Sequence, residues 1–212
     1  DIADSSVVQA KWSSLAEAAL SVGSPQLRHQ GTIAGNIGQD CRCWYYRAEH
    51  NQFNCFRKGG NLCFLTAGRS DKHSAILGGA VCFTNSVSDT AIPLTALGAT
   101  VVTTKRNIAI GDFFEVLGDV LDDDEIITEI QVPEPAAGTK QVFLKWAERK
   151  AIDFAEASVA IAISSSDAKI VLGSVAPTPW RATDAEGVVS GQTITEALAT
   201  TAGEEATNGA IT

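Results

Sequence analysis

The sequence predicts an α+β fold in two blocks, near residues 1–133 and 140–212. Three observations predict it. Short stretches carry apolar residues at helical spacing, as in AKWSSLAEAALSV. Runs rich in β-branched or small residues, such as ATVVTT and AKIVLG, have the length and pattern of strands. A Pro- and Gly-containing segment at 133–140, PEPAAGTK, separates the two blocks as a linker.

In chain order, residues 10–22 place Trp12, Leu15, Ala19 and Val22 on one face of a single amphipathic helix, ended by Gly23-Ser24-Pro25. QLRHQGTIAGNIG follows, apolar and punctuated by glycine, suited to a turn at a ligand and then a short strand or helix. Residues 39–85 have no regular period. A stretch this long without its own secondary structure is uncommon unless something else orders it. TAIPLTALGA reads as a short helix stopped by Gly98. ATVVTT is a strand, Lys105-Arg106-Asn107 a turn, and DDDEIITEIQVP an acidic turn into an alternating strand that Pro133 ends. Beyond the linker, QVFLKWAERK is strand-like, DFAEASVAIAISS is a strand or a helix with a small-residue face, and AKIVLGSVAP is a strand. TDAEGVVSG and TITEALATTAGEEA read as helices.

Composition narrows the function. The 212 residues are 45% hydrophobic and 19% charged, with a net charge of −9, from 16 Lys and Arg against 25 Asp and Glu. That is an ordinary globular composition, and it lacks the basic surface of a nucleic-acid binder. No apolar run approaches the roughly 18 residues of a membrane span. No basic stretch leads into an apolar one as in a secretory leader, so a cytoplasmic protein is expected. The chain begins at Asp1 and contains no Met, which leads to the expectation of a piece of a longer protein.

All five cysteines, Cys41, Cys43, Cys55, Cys63 and Cys82, fall within residues 41–82. Disulfides that staple a secreted protein usually spread over different loops. Four thiolates can hold an iron–sulfur cluster or a tetrahedral zinc, and buried free cysteines can also serve as small apolar residues. Zinc sites usually use two tight Cys pairs, whereas only Cys41 and Cys43 are close here. Small residues at Thr32-Ile33-Ala34-Gly35-Asn36 would let the backbone approach a phosphate, or they form an ordinary turn. Asp89 could accept from a ribose hydroxyl or cap a helix. Lys145 and Arg149 lie in an apolar segment and would keep their charges in water. His29, His50 and His73 have no partner at ligand spacing and read as surface or hydrogen-bonded residues. Nucleophile-elbow, P-loop and G-x-G-x-x-G motifs are missing from the sequence.

The strings QLRHQGTIAGN, GQDCRCWYYR, NCFRKGGNLC and AVCFTNSVSDTAIPLTALGATV, in that order, resemble the FAD-binding medium subunit of the molybdenum hydroxylases, the xanthine dehydrogenase and carbon monoxide dehydrogenase superfamily. FLKWAERKAIDFAEASVA and VLGSVAPTPWRATDAEG resemble its C-terminal flavoprotein domain. The likeness runs from Asp1 to about Gly191. It implies that residues 1–133 are the second part of a two-subdomain FAD-binding domain, whose first part would precede Asp1. Residues 140–212 would be the small sheet-plus-helices C-terminal domain.

The cysteine stretch, about 39–85, resembles the inserted loop of a sub-branch that includes the 4-hydroxybenzoyl-CoA reductase β subunit and the FAD subunit of aldehyde oxidoreductase. That loop carries a [4Fe–4S] cluster. The resemblance implies Cys43, Cys55, Cys63 and Cys82 as ligands and Cys41 as a spare thiol. For FAD it implies Thr32, Ala34, Gly35 and Asn36 at the pyrophosphate, with Ala34 where the family usually has Gly. It further implies Asp89 at the ribitol or ribose, Ile127 against the flavin ring and Lys145 near the isoalloxazine. Expected partners are a large subunit with the molybdenum cofactor and a small [2Fe–2S] subunit. Substrate chemistry would occur on molybdenum, so no catalytic acid or base is expected here. Two other readings are a zinc-stabilised interaction module without a redox role and a degenerate subunit that has lost FAD.

Overall fold

The computed structural model describes residues 1–67 and 74–211. His73, and Thr212 at the end of the second predicted block, lie outside the described residues. The chain opens with helices α1 (Ser6–Lys11) and α2 (Ser13–Ser21). The single helix expected over 10–22 is therefore two, broken at Trp12. Its backbone (φ −131°, ψ 58°) leaves the helical region, and its indole Nε1 donates to the Pro133 carbonyl 121 residues away. Two short helices follow, α3 (Pro25–Gln30), capped by Ser24, and α4 (Ile33–Ile37), capped by Thr32.

Among its described residues, the cysteine stretch contains short pieces, α5 (Trp44–Arg47), one-turn helices at Glu49–Asn51 and Phe56–Lys58, and α6 (Phe64–Ala67). His50, Asn51 and Asn54 all have positive φ, the left-handed region that Asn and His tolerate better than other side-chain-bearing residues. Regular structure resumes with α7 (Ala91–Ala96), stopped as expected at Gly98, whose φ is +68°. The remaining elements of the first block are β1 (Thr100–Thr103), β2 (Asn107–Ala109), α8 (Ile110–Phe113), β3 (Phe114–Glu115), β4 (Gly118–Asp119) and β5 (Ile127–Gln131). Strands β2, β1 and β5 form an antiparallel sheet in that order, and β3 pairs with β4.

The second block is an antiparallel sheet, β6 (Lys140–Trp146), β7 (Ala157–Ile163), β8 (Ala168–Gly173) and β9 (Trp180–Arg181), in sequential order. Helices α9 (Thr183–Val189) and α10 (Glu196–Ala206) follow. The ambiguous 154–166 segment resolves as strand. Its small residues Ser158, Ala160 and Ala162 are buried on one face, and Val159, Ile161 and Ile163 pack on the other.

Helix α7 joins the blocks because it is apolar on two sides. Ala91 and Leu94 enter the core of the first block with Leu15, Ile37, Val101 and Phe113. Ile92 and Ala96 enter a second core with Ala18, Phe143, Ala160 and Val171. Gly173 permits this docking, since a Cβ there would come within 2.6 Å of the Ile92 side chain. Helix α2 closes the junction. Glu17 accepts from the Phe143 amide at 2.7 Å, and Ser14 donates to Gln141 at 3.1 Å. The 133–140 segment, expected as a linker, is tied to the first block by Trp12 and by a Lys11–Glu134 ion pair.

Candidate functional site

Two predicted motifs meet at the start of α4 and the start of α7. Thr32 Oγ1 accepts from the Gly35 amide at 3.0 Å, which closes the first turn of α4. A Cβ on Gly35 would stand 3.2 Å from that oxygen, so a small residue keeps the turn tight. Thr32 and Gly35 are exposed and Ala34 is half-buried, which leaves the start of α4 open to solvent. Asn36 turns the other way. Its Oδ1 accepts from Thr90 Oγ1 at 2.6 Å and from Ser88 Oγ at 2.7 Å. Nothing in the sequence pattern marks this tie between the two motifs.

Asp89 does not cap α7. Ser88 Oγ accepts from the Ala91 amide at 3.1 Å and does so instead. The Asp89 carboxylate pairs with Lys145 at 2.7 Å, with side chains only 7% and 12% exposed. Lys145 Nζ also donates to the Ser21 carbonyl at 3.3 Å. Burial pushes the Asp89 carboxyl above the usual carboxylate range, against the opposing pull of Lys145 and Ser21. Lys145 is thus no solvated edge residue. It points inward from β6 and pins the second block to the start of α7. Arg149 does lie at the surface, paired with Asp153. Ile127 begins β5, opposite Thr103, and packs partly buried against the first core. Strand β5 lies against α4. His29 and His50 are exposed.

Beyond the end of α4 lies the cysteine stretch. Cys41 and Cys43 are buried with Leu65, and Tyr45, Tyr46, Cys63 and Phe83 pack against them. Tyr45, Phe53 and Phe64 form a triangle of rings with centroids 5.1–5.5 Å apart. Cys55 bridges to Leu62 through backbone hydrogen bonding. The Cys55 thiol lies within electrostatic reach of Cys82, Cys41 and Cys63, and Cys43 within reach of Cys41 and Cys55. Burial pushes both the Cys43 and Cys55 thiols up. All five cysteines are free.

Among the described residues, no three of His, Cys, Asp and Glu stand in an arrangement ready to hold a metal ion. The chemistry of the donors nevertheless suits one. Five thiols converge on one region, where Arg42, Arg47, Arg57 and Lys58 outnumber Asp40 and Glu49 in a chain whose net charge is −9. Nε of Arg42 and Nε of Arg57 are buried there without a hydrogen-bond partner. A thiolate-ligated, negatively charged group fits these donors and cations. A small cleft is lined by residues of both regions, among them Gly38, Ser88, Cys41, Arg57 and Asn85.

Residues 1–135 match the family described as the FAD binding domain in molybdopterin dehydrogenase. The chain belongs to this family. Residues 142–210 match the CO dehydrogenase flavoprotein C-terminal domain. The chain is 31% identical over 202 residues to the aldehyde oxidoreductase FAD-binding subunit PaoB of Escherichia coli, covering 90% of this chain and 63% of that protein. It is 34% identical over 139 residues to the glyceraldehyde dehydrogenase medium chain of Sulfolobus acidocaldarius, covering 60% of this chain and 48% of that one.

Among solved structures, it resembles carbon monoxide dehydrogenase from Hydrogenophaga pseudoflava, in a form lacking the Mo-pyranopterin moiety. The TM-score is 0.68 at 26% identity, over 97% of this chain and 59% of that one. Quinoline 2-oxidoreductase from Pseudomonas putida shares the fold, with a TM-score of 0.68 at 21% identity, over 98% of this chain and 60% of that one. The chain therefore spans about three-fifths of the length of these two structures. Among the described residues, no helix is long and apolar enough to cross a membrane.

Proposed function

We propose that the chain is the FAD- and iron–sulfur-binding electron-transfer part of a molybdenum-containing oxidoreductase. Its domains would be residues 1–133, with the insertion at about 39–85, and residues 140–212. Its partners would be a large subunit with the molybdenum cofactor and a small [2Fe–2S] subunit. The observation that carries the reading is the joint at Asn36, which holds the Thr32–Asn36 turn against the Ser88–Thr90 motif while leaving Thr32 and Gly35 exposed.

Bound FAD would supply a carrier able to pass electrons singly or in pairs. Thr32, Ala34 and Gly35 would offer a hydroxyl and backbone N–H groups to its pyrophosphate, and Asn36 would hold that turn in place. Asp89 keeps Lys145 on Oδ2 and would offer Oδ1 to a ribitol or ribose hydroxyl. Ile127 would provide apolar contact, and Lys145 a positive charge beside the flavin. Cys43, Cys55, Cys63 and Cys82 would hold a [4Fe–4S] cluster, which suits the excess of positive charge around them. Cys41 would remain a free thiol. No residue of this chain is assigned to substrate chemistry, which belongs to the molybdenum subunit.

The test is composition of the full-length subunit, purified anaerobically within its native complex. The expected result is flavin, with about four iron and four acid-labile sulfide per complex beyond those of the [2Fe–2S] subunit. Zinc in place of that excess iron means a zinc-stabilised module. Excess iron without flavin means a subunit that has lost FAD.

A further inference from the structure

Arg57 has more donors than the surrounding chain satisfies. It follows Cys55 by two residues, and its Nη2 donates to the Val116 carbonyl at 3.0 Å. That bond anchors the side chain to the first block. From there the guanidinium interacts with the Cys82 thiol and faces Cys41. It therefore spans from the start of the cysteine stretch to its end. Its Nε is buried without a partner. Arg57 also lines the same cleft as Gly38, Cys41 and Ser88. Arg42, the other arginine with an unpartnered Nε, is held in a similar way, as Arg57 also lies 6.0 Å over the Tyr46 ring. Arg42 donates to Gln39 at 3.0 Å and lies 5.1 Å over the Phe154 ring.

Asp40 and Asp119 lie within electrostatic reach of the half-buried Arg57 charge, but its buried Nε–H stays unmet, which is unfavourable unless an acceptor answers it. We infer that Arg57 is a positioning residue that raises the reduction potential of the centre held by the neighbouring cysteines, by setting its charge beside them and offering its free Nε–H to a sulfur. This rests on the iron–sulfur reading above. Reduction adds a negative charge to a cluster, and a fixed cation nearby stabilises that state more where water is excluded. Net charge and hydrogen bonds to sulfur are among the levers that set such potentials.

The test uses the assembled complex with the full-length subunit carrying Arg57→Met or Arg57→Lys. Iron content and an EPR-monitored redox titration are measured. Arg57→Met is expected to keep its iron and to show a lower cluster midpoint, with a smaller downward shift of the flavin. Arg57→Lys, which keeps the charge but loses the planar fork, should fall less. An unmoved midpoint in Arg57→Met with iron intact overturns the proposal. If Arg57→Met loses its iron, Arg57→Lys decides. Iron retained near the wild-type midpoint supports the role in tuning, and iron lost again makes Arg57 a residue of the loop's fold. A wild-type complex whose iron does not exceed what the [2Fe–2S] subunit carries overturns the iron–sulfur reading itself, and that excess alone distinguishes it from the other outcomes.

Discussion

The junction around α4 and α7 and the cysteine stretch beside it handle buried polar groups in opposite ways. At the junction the chain answers its own polar groups. Asn36 receives Ser88 and Thr90, Ser88 caps α7, and Asp89 holds Lys145. In the cysteine stretch it does not. Among the described residues, the buried side-chain nitrogens and oxygens without a partner belong to Arg42, Arg57, Ser74, Thr84 and Asn85, all within 39–85. Native proteins rarely leave such groups unmet, and each one needs an explanation. The contrast teaches that the junction satisfies its own polar groups, whereas the cysteine stretch leaves several buried ones unmet.

Removing a ligand from the incomplete region should break the contrast most sharply. Cys43→Ser, Cys55→Ser, Cys63→Ser and Cys82→Ser should each lose the iron and the hydrogen-exchange protection of 39–85, with the junction still protected. Cys41→Ser should keep both. Iron retained by one of the first four, or lost equally from Cys41→Ser, sinks the ligand assignment.

The largest effect at the junction should come from Asp89→Ala. It leaves Lys145 buried and unpaired, a loss of about 3–5 kcal/mol for a broken buried pair. Denaturant unfolding would read the loss, and a pairing of Asp89→Leu with Lys145→Met should recover part of it. A double variant no more stable than Asp89→Ala would mean that the charge pair is not what joins the blocks.

Asn36→Ala should cost less, about 1–3 kcal/mol, because it leaves two buried but uncharged hydroxyls, those of Ser88 and Thr90, without their acceptor. If the tie holds the cofactor turn, the FAD dissociation constant of the full-length subunit should rise about tenfold. An unchanged constant would separate the tie from cofactor binding.

Glu125 lies outside both regions and serves as a control. Its buried carboxylate accepts from Arg106, Thr103 and the Asp122 amide. These bonds, those from Arg106 first, hold its carboxyl down from the usual 4.5 to about 2. A depressed carboxyl stabilises the fold above its unfolded value, and that contribution fades as pH falls from about 4.5 towards 2. Glu125→Gln should flatten acid unfolding in that window and leave iron and flavin content unchanged. An identical acid profile in the variant would mean that the ion pair adds nothing to the fold.

The sequence by itself determined the periodic parts. The strands at 99–104 and 125–133, the helix ended at Gly98 and the two closing helices are written in spacing, β-branching and turn residues, all local properties. Its ordered motifs also resembled one family of proteins, and that family is the one the chain matches. It mistook one broken pair of helices for a single helix, because Trp12 leaves the helix to reach Pro133, a partner no local pattern contains. Only the tertiary structure decided that Asp89 and Lys145, 56 residues apart, neutralise each other. It alone showed that Asn36 serves the chain rather than only a ligand, and that Arg57 ends with a buried donor to spare. Residue type states which charge or hydrogen bond a side chain can offer. Whether that offer is already taken depends on which elements pack together, and packing is a property of the whole chain.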